Sequence, residues 1–503
     1  MPSDLIIIGI DGASPDIIRE LHDEGRLDNL SQLIDDGSFA TLQSTHIPIT
    51  PSAWTSMLTG KNPGKHGVFG FTELKDGRTK LVTATHSEDN VLDILSERYS
   101  VGYANVPASF PVQRNGVFEL ASILSPSIDT DGTAHPDSLV ERLRELDYEL
   151  DLTKTYTGSN EDELIDELHD HIETKTRLFN ELEEANDTDV AMYTYMAVDW
   201  ASHWFWKHMD DDHPQHEPGN DYQDTLKELY VAIDRSIGEL VDDSDNVIIV
   251  SDHGFTSFER GLNLNPLLRE MDMITPKRTP GSLLRYHLYR NGVTLARAYR
   301  LAKKLGLGDL ASEAAQDTGF NPLRWLADRI FFSFDDLDWD ETVAYSAGDF
   351  GPIYLTDDDD EAFQQIRDAL LDLEDDGEQA IEQVWRSDEI YHGPYTDKAP
   401  DIVYQPRGWH YHATRFYEFG TNSIFSEPFD NKSGHHHPDG VFIAAGDAFE
   451  QRDGIELSIM DFAPTLLHAL GEPVPGDMDG DVATSLLTTE RDPERDEITG
   501  IDV

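Results

Sequence analysis

Carboxylate and imidazole side chains follow predicted strands at several separate points of the chain. Such groups are usual ligands of divalent metal ions, and a cluster of them could activate a hydroxyl group for hydrolysis. Each position taken alone is also compatible with a structural role, as a helix cap, a helix-surface pair or an exposed loop. The candidates are Asp11, Asp199 with His203, Asp252 with His253, and the triplet His435–His437.

A candidate nucleophile lies in the segment ITPSAWTSMLTGKNPGKHG, which begins at Ile49. Thr50 precedes Pro51, and proline suits the first turn of a helix because that turn does not need the missing N–H. The pattern places Thr50 at the N-cap, beside free backbone N–H groups and the positive end of the helix dipole. Thr50 is therefore either a helix cap or a nucleophile that a metal cluster would activate.

Three of the candidate groups follow apolar runs that are typical of buried parallel strands. These runs are Asp4–Asp11 (DLIIIGID), Val190–Val198 and the sequence DNVIIV from Asp245. The carboxyl ends of parallel strands lie at one edge of a sheet, where α/β proteins bind their ligands, so we expect these groups to meet. A helix that begins after the second run would place Asp199 and His203 on one face.

The charge of the chain is extreme. Its 503 residues include 98 acidic and 38 basic side chains, which give a formal net charge of −60. The acidic residues are spread along the sequence, a pattern that keeps proteins soluble in high salt and predicts a halophilic source. The same charge argues against general nucleic-acid binding, which needs a basic surface. Because the chain has no cysteine, disulfides, thiolate ligands and a cysteine nucleophile are excluded.

The sequence also indicates where in the cell the protein is expected. The N-terminal stretch MPSDLIIIGIDG lacks the basic region of a signal peptide. No apolar run approaches the ~20 residues that a membrane span needs. A cytoplasmic protein without a transmembrane segment is therefore predicted, whereas the oligomeric state stays open.

One segment departs from the acidic composition. Residues 277–304 contain eight basic side chains and no acidic one, and their apolar spacing predicts at least one amphipathic helix. The segment could be a lid for an anionic substrate, a surface for an acidic partner or a membrane, or helices docked on the protein's own acidic surface. It lies in a predicted helical insertion, residues 256–342, within a catalytic domain of residues 1–255 and 343–503. Strand patterns at Val343–Leu355 and Asp401–Tyr404 predict that the central sheet resumes after the insertion.

The order of these motifs resembles that of a known superfamily. Asp11 after LIIIGI, Thr50 before a helix that ends in LTG, Asp199 with His203, SDHG at Ser251–Gly254, and SGHHHPDG occur as in the alkaline-phosphatase superfamily. The most similar branch is the type I phosphodiesterase/nucleotide pyrophosphatase family. The resemblance covers most of the chain. With the strand pattern, it predicts a three-layer α/β/α sandwich with a mainly parallel central sheet and a helical insertion.

The resemblance implies a two-metal phosphoester hydrolase that acts through a covalent phospho-threonine on Thr50. It implies two divalent ions, usually Zn²⁺ with Mn²⁺ as an alternative, and a small-molecule phosphate ester as substrate. One ion would be held by Asp11, Asp252 and His253 together with Thr50. The other would be held by Asp199, His203 and one histidine of the triplet, for which the family's spacing favours His436 over His435.

The sequence departs from the family at one position. Nucleotide pyrophosphatases carry an asparagine that binds a phosphoryl oxygen shortly after the HG motif, where this chain has Phe71. Diester specificity is therefore open, and a phosphomonoesterase or phosphonate hydrolase of the same superfamily is an alternative. A non-catalytic binding module on the same fold is a second alternative, although all seven site positions carry chemically competent residues.

Overall fold

A nine-stranded sheet forms the centre of the molecule. The computed structural model describes residues 4–75, 78–81, 90–241, 244–304, 329–413, 419–428, 431–489 and 491–496. The strands of the described chain are β1 Leu5–Ile10, β2 Ser38–Gln43, β3 Thr72–Lys75, β4 Arg78–Leu81, β5 Val101–Val106, β6 Phe118–Ala121, β7 Ala134–His135, β8 Val190–Tyr195, β9 Asn246–Val250, β10 Gly254–Ser257, β11 Arg260–Leu262, β12 Ala344–Ser346, β13 Ile353–Leu355, β14 Glu374–Asp375, β15 Glu378–Gln379, β16 Ile381–Arg386, β17 Ile402–Pro406, β18 Tyr411–His412, β19 Phe425–Ser426, β20 Gly434–His437, β21 Asp439–Gly446 and β22 Asp453–Ser458.

The central sheet is mainly parallel, as predicted. Its strand order is β22-β2-β21-β9-β1-β8-β5-β6-β7. The strands β21 and β7 run antiparallel to their neighbours, and the other pairings are parallel. The adjacent strands β9, β1 and β8 therefore end at the same edge of the sheet, which is where the candidate residues follow them.

Helices cover both faces of this sheet. Those of the described chain are α1 Pro15–Asp23, α2 Asp28–Asp36, α3 Thr50–Thr59, α4 Pro63–His66, α5 Val91–Ser96, α6 Asp137–Glu145, α7 Glu161–Ala185, α8 Ala197–Met209, α9 Thr225–Val241, α10 Leu264–Glu270, α11 Pro280–Arg290, α12 Leu295–Lys304, α13 Asp360–Leu371, α14 Ser387–Ile390 and α15 Phe462–Ala469.

The alternation of side chains along β1 divides the core in two. Ile6, Ile8 and Ile10 pack in a cluster that includes residues of α1, α2, α7, α8 and α9. Leu5 and Ile7 point to the opposite face and pack with residues of α3, α5 and α15. Because successive side chains of a strand point to opposite faces, a run that is apolar throughout needs a helical layer on each side. The predicted three-layer sandwich is confirmed.

A second core lies beside the sandwich. It contains Leu262 and Leu268 from the predicted insertion, but also Ile353 and Ile402 from the sequence after it. Two small sheets, β12-β13-β17-β16 and β18-β11-β19, belong to this part of the molecule. The prediction that the central sheet resumes at residue 343 is therefore wrong: the pattern identified strands, but it carried no information on which sheet they join. The predicted helices of residues 277–304 are present as α11 and α12.

The strand predicted over Val190–Val198 is shorter than expected. It ends at Tyr195, and α8 begins at Ala197. Ala197 and Val198 are buried in the first turn of the helix, so the apolar run continues across the boundary and its composition does not mark the end of the strand. No helix of the described residues is long and apolar enough to cross a membrane.

Candidate active site

Asp11 and Gly12 follow β1 directly at the carboxyl edge of the sheet. Asp11 is fully buried, and its Oδ2 accepts a 2.7 Å hydrogen bond from Trp54 Nε1. Gly12 has a φ of +72°, and a Cβ atom placed on it would lie 2.9 Å from the Cα of Asp199. A glycine is therefore needed here for the end of β1 to approach α8 this closely.

Thr50 begins α3, but it does not cap the helix. Ile49 occupies the N-cap in extended conformation (φ −125°, ψ 131°), and its carbonyl accepts the bond from the Ala53 N–H at 2.9 Å. The predicted capping role of Thr50 is wrong by one residue, a usual error for helix ends. Thr50 is buried, and its Oγ1 lies 3.3 Å from His253 Nε2. The hydroxyl thus faces the histidine cluster.

Asp199 and His203 lie on successive turns of α8, as the four-residue spacing predicts. Asp199 Oδ1 is 3.9 Å from His203 Nε2, 4.0 Å from His253 Nε2 and 3.3 Å from His436 Nε2. The helix therefore presents its first-turn carboxylate to imidazoles that belong to three different segments of the chain.

Asp252 and His253 lie between β9 and β10, and both are fully buried. The extended conformation of β9 ends at Val250, so neighbouring side chains are no longer forced to opposite faces. Asp252 Oδ1 accepts a long hydrogen bond from the Gly12 N–H at 3.4 Å, and Oδ2 lies 3.3 Å from His253 Nε2. Both side chains point to the same centre.

Three buried carboxylate oxygens have no hydrogen-bond partner among the described residues. They are Asp11 Oδ1, Asp199 Oδ1 and Asp252 Oδ2. All three lie within 4.0 Å of one atom, His253 Nε2. An unsatisfied buried carboxylate oxygen is costly, and a cation between three that converge would satisfy them together.

Three histidines are held by backbone carbonyl groups in the same way. His203 Nδ1 lies 3.1 Å from Gly434 O, His253 Nδ1 3.2 Å from Gly254 O, and His436 Nδ1 2.7 Å from Pro48 O. A carbonyl only accepts, so each Nδ1 carries the proton and donates it. Each Nε2 lone pair is then directed at the carboxylates, which is the arrangement that metal-binding histidines have.

Burial determines the charge of these groups. It raises the pKa of Asp11 well above its usual value, and the charges of Asp252 and Asp199 raise it further. Burial raises the pKa of Asp252 as well, with a further contribution from Asp199. Burial also lowers the pKa of His203 and His253 well below the ordinary value. The imidazoles are thus kept neutral, the form that binds metals, while the carboxylates repel one another.

Comparison with known proteins identifies the family. The sequence matches the family described as type I phosphodiesterase / nucleotide pyrophosphatase over residues 5–423. The chain belongs to this family. Its members hydrolyse phosphoester bonds and depend on metal ions, and the chain is accordingly a phosphoester hydrolase. A comparison with curated protein sequences gives no significant match.

Solved structures resemble the whole chain at low sequence identity. Phosphonoacetate hydrolase from Sinorhizobium meliloti 1021 in complex with phosphonoformate has a TM-score of 0.55 and 14% identity, and the alignment covers 93% of this chain and 95% of the other. Human ectonucleotide pyrophosphatase / phosphodiesterase 5 has a TM-score of 0.49 and 13% identity, with 97% and 100% coverage. The first similarity supports the alkaline-phosphatase-like fold described above.

The residues present fit the metal dependence of the phosphodiesterase family. Ligand atoms of Asp11, Asp252 and His253 lie within 4.8 Å of one another, and so do those of Asp199, His253 and His436. His203 belongs to neither group, but its Nε2 lies 3.3 Å from His436 Nε2. The structure therefore brings all seven predicted site residues together, with a nitrogen and oxygen donor set that suits divalent cations.

His435 occupies a different position from His436. Its Nδ1 accepts the His436 N–H at 2.8 Å, and its ring lies against His412 with the centroids 3.4 Å apart. The ring of Phe350, a residue with the unusual φ of 63°, lies 4.6 Å from His435. His435 thus forms a wall with His412 and Phe350 beside the ligand cluster.

Sequence reasoning missed the partners that support the ligands. Trp54 lies four residues after Thr50 on α3, so helical spacing would have identified it as a neighbour of the site. Phe255 packs its ring 5.0 Å from His203 and 5.1 Å from His436. The wall residues His412 and Phe350 come from the small sheets beside the sandwich, and no local pattern links them to the site.

Proposed function

We propose that the protein hydrolyses phosphodiester or pyrophosphate bonds with two divalent ions and Thr50 as nucleophile. Asp11, Asp252 and His253, with Thr50, would hold one ion. The other would be held by Asp199, His203 and His436. The convergence of three unsatisfied carboxylate oxygens on His253 Nε2, beside the Thr50 hydroxyl, is the observation that supports this proposal.

The two ions would lower the pKa of the Thr50 hydroxyl and stabilise the attacking and leaving oxygens. Thr50 Oγ1 forms a bond to phosphorus and gives up its proton to solvent. The bond between phosphorus and the leaving oxygen breaks, and that oxygen takes up a proton. Water then attacks the phospho-threonine, which restores the Thr50 hydroxyl and releases phosphate or a phosphate monoester. The N-terminus of α3 directs its positive dipole at the phosphoryl oxygens.

The surroundings of Phe71 favour a diester over a monoester. The Phe71 N–H donates to Asp349 Oδ2 at 3.3 Å, so a carboxylate stands near the position where the family's asparagine would bind a phosphoryl oxygen. A monoester carries up to two negative charges and a diester carries one, and a nearby carboxylate disfavours the dianion more. Phe71 also packs in an apolar cluster with Ile47, Ile49 and Phe350, which suits an ester with an apolar substituent.

Zinc or manganese is the expected ion. The ligand set is three carboxylates, three imidazoles and one hydroxyl, and the chain has no thiolate to offer. Borderline ions such as Zn²⁺ bind mixed nitrogen and oxygen sites, whereas Mn²⁺ prefers a larger share of oxygen.

The test compares hydrolysis of bis-p-nitrophenyl phosphate and p-nitrophenyl phosphate by the wild type and Thr50→Ala, with zinc or manganese. We expect faster cleavage of the diester, and loss of both activities in Thr50→Ala and after chelation. Thr55→Ala is the matched control, because Thr55 lies on the same helix and its hydroxyl donates to Pro51 O at 2.7 Å, away from the candidate ligands. Mass spectrometry of acid-quenched enzyme should detect a phosphorylated peptide that contains Thr50.

Each outcome separates the alternatives. A preference for the monoester, or cleavage of phosphonates alone, would retain the mechanism and change the substrate class. Wild-type activity in Thr50→Ala would contradict the nucleophile assignment. A protein that binds phosphate esters without turnover, with or without metal, would be the non-catalytic binding module.

A further inference from the structure

The exposed apolar side chains of the molecule are concentrated in one region. Six large apolar side chains are exposed in the described structure, and five of them lie between residues 283 and 330. Four belong to α11, α12 and their connection: Leu283 (45% exposed), Leu284 (58%), Val293 (40%) and Leu301 (59%). Clustered exposed apolar residues indicate a binding surface, whereas single ones are ordinary.

Part of the basic segment 277–304 is neutralised by the protein itself. Arg278 Nη2 lies 3.0 Å from a carboxylate oxygen of Glu341, and Arg285 forms an ion pair with buried Asp336. Lys277 Nζ donates to the Asp335 carbonyl at 2.7 Å. These contacts confirm that the beginning of the segment docks on the protein's own acidic groups.

Four basic side chains farther along the segment are exposed and have no acidic partner among the described residues. Arg290, Arg297, Arg300 and Lys304 are exposed, and none forms an ion pair with an acidic side chain of the described chain. On α12 Arg297 lies four residues before Leu301 and Lys304 three residues after it, with Arg300 beside them one position before Leu301. On α11 Arg290 follows Leu283 by seven residues, so basic and apolar side chains share a face of each helix. These residues together form the basic–apolar surface: Leu283, Leu284, Arg290, Val293, Arg297, Arg300, Leu301 and Lys304.

The basic–apolar surface is fixed to the folded core. The Tyr289 hydroxyl donates to Thr421 O at 2.8 Å, and the Ala296 N–H donates to Gly420 O at 3.0 Å. Tyr289 also packs among Phe332 and Phe419 in the second core. The exposed side chains are therefore presented by helices that are already held in place, and binding would not need to fold them.

We propose that the basic–apolar surface docks on an anionic lipid bilayer. Lys and Arg bind lipid phosphates, and Leu and Val side chains enter the boundary between head groups and acyl chains. A bilayer offers both components at once. Docking of this kind is peripheral, consistent with the lack of a membrane-spanning helix among the described residues.

A second copy of the chain fits this surface less well. Contact between two such surfaces would place basic side chains against one another. Contact with the acidic remainder of a second copy would leave most of these leucines without apolar partners, because only two large apolar side chains, Val117 and Ile330, are exposed outside this surface in the described structure. The bilayer is the occupant that matches both charge and apolarity.

The test measures co-sedimentation of the full chain with vesicles of phosphatidylglycerol mixed with phosphatidylcholine, and with vesicles of phosphatidylcholine alone. It is run at the lowest and highest KCl concentrations at which circular dichroism shows the folded state. We expect binding to the anionic vesicles, at least tenfold weaker in Arg290→Gln/Arg300→Gln at low salt, since each basic residue contributes about 1 kcal/mol, or roughly fivefold. At high salt the charges are screened, so only Leu284→Ser/Leu301→Ser should still reduce binding.

Matched controls distinguish binding through the basic–apolar surface from binding that depends only on overall charge. Lys277→Gln/Arg278→Gln removes two basic residues that already have partners, and Val117→Ser removes an exposed apolar residue outside the surface. Both should bind like the wild type. Absence of binding to anionic vesicles, or equal binding by all variants, would overturn the proposal. It would also be overturned by a dimer that the Leu284→Ser/Leu301→Ser variant abolishes, or by tighter binding to poly-glutamate than to vesicles, which would indicate a second copy or an acidic protein.

Discussion

Two buried groups of ionisable side chains flank α8. They differ in whether their polar atoms have hydrogen-bond partners within the described protein. At the carboxyl edge of the sheet, Asp11, Asp199 and Asp252 each keep a buried oxygen without a hydrogen-bond partner. On the other side, Lys175 and His171 line a cavity of about 300 Å³ between α7 and the loop of residues 147–154. The ring of His171 lies 5.1 Å from that of Trp200, the residue after Asp199.

In the lysine cavity the buried polar groups satisfy one another. Lys175 Nζ lies 3.2 Å from Glu149 O, 3.0 Å from His171 Nδ1 and 4.7 Å from the centre of the Tyr148 ring. Glu167 Oε1 accepts from the N–H and the hydroxyl of Thr153, both at 2.6 Å. Nothing in this arrangement requires a ligand.

The comparison shows that burial of charge alone does not identify a functional site. Both clusters contain ionisable groups whose pKa values are shifted by burial. Of these two clusters, the one at the sheet edge has carboxylate oxygens without a hydrogen-bond partner among the described residues, and such groups are typical of sites that a ligand completes. The first cluster is therefore the candidate for a bound metal ion, whereas the contacts of the second stabilise the junction of α7 and the loop.

The largest expected effect comes from Asp252→Asn, which keeps the shape of the side chain and removes its charge. We expect a loss of more than about 10³-fold in kcat/KM for the diester, because a metal ligand is lost. In metal-free protein the same change should raise the free energy of unfolding by about 1–3 kcal/mol, since it removes a repelled buried charge. Urea unfolding with and without chelator measures the second effect.

Asp252→Asn should therefore lower the activity but raise the stability of the metal-free protein, and these opposite effects are the decisive result. A metal-free Asp252→Asn variant that is less stable than metal-free wild type would contradict the view that the carboxylates are strained without a cation. Wild type should also gain thermal stability when zinc or manganese is added, and the variant should gain less.

The second prediction concerns the pH dependence of Lys175. Burial lowers its pKa to about 7, so between pH 7 and pH 10 the unfolded chain binds a proton that the folded chain does not. Wild-type stability should therefore rise with pH relative to Lys175→Met, by up to about 1.4 kcal/mol per pH unit. The measurement is the difference in unfolding free energy between the two proteins at pH 7, 8 and 9, with and without metal.

If the stability difference between wild type and Lys175→Met rises with pH equally in chelated and metal-loaded protein, the lysine cavity is independent of the metal centre. A difference that stays constant over this pH range would mean that Lys175 keeps its proton in the folded state. The contacts of Lys175 with Glu149 O and His171 would then offset the effect of burial on its pKa.

Trp54→Phe should have a smaller effect on the metal centre. It removes the N–H that donates to Asp11 Oδ2 at 2.7 Å, and loss of such a supporting group typically weakens metal binding 10–100-fold. Trp206→Phe is the matched control, because the Trp206 N–H donates to Asp210, outside the ligand cluster, at 3.2 Å. Activity titrated against buffered free zinc separates the two variants. Equal zinc affinity in both would exclude a positioning role for Trp54.

The sequence predicted that the candidate ligands converge because these residues obey a local rule. Asp11, Asp252 and His253 follow buried strands, and parallel strands bring such positions to one edge whatever the loops do. Asp199 and His203 needed only helical spacing. The choice of His436 over His435 rested on a family pattern, and in the structure His436 turns toward Asp199 while His435 stacks on His412.

The support of the cluster could not be predicted in the same way. The carbonyl groups of Pro48 and Gly434 accept hydrogen bonds from His436 and His203 because of their backbone positions, which no side-chain pattern records. Phe350 reaches the site from the small sheet β12-β13-β17-β16. Three strands of that sheet were predicted from the sequence pattern to belong to the central sheet. Residue types thus indicated which side chains converge at the edge of the sheet, whereas long-range packing decides what orients them and what lies beside them.

The smallest effect is expected for Asp170→Asn. Asp170 lines the same cavity as Lys175, but its side chain is exposed to solvent, so water already satisfies the carboxylate. Its replacement should change the free energy of unfolding by no more than about 0.5 kcal/mol and leave the number of bound metal ions, measured by elemental analysis, unchanged. A loss of bound metal in Asp170→Asn would place a cation in the lysine cavity, and the unsatisfied oxygen would then no longer distinguish the two clusters.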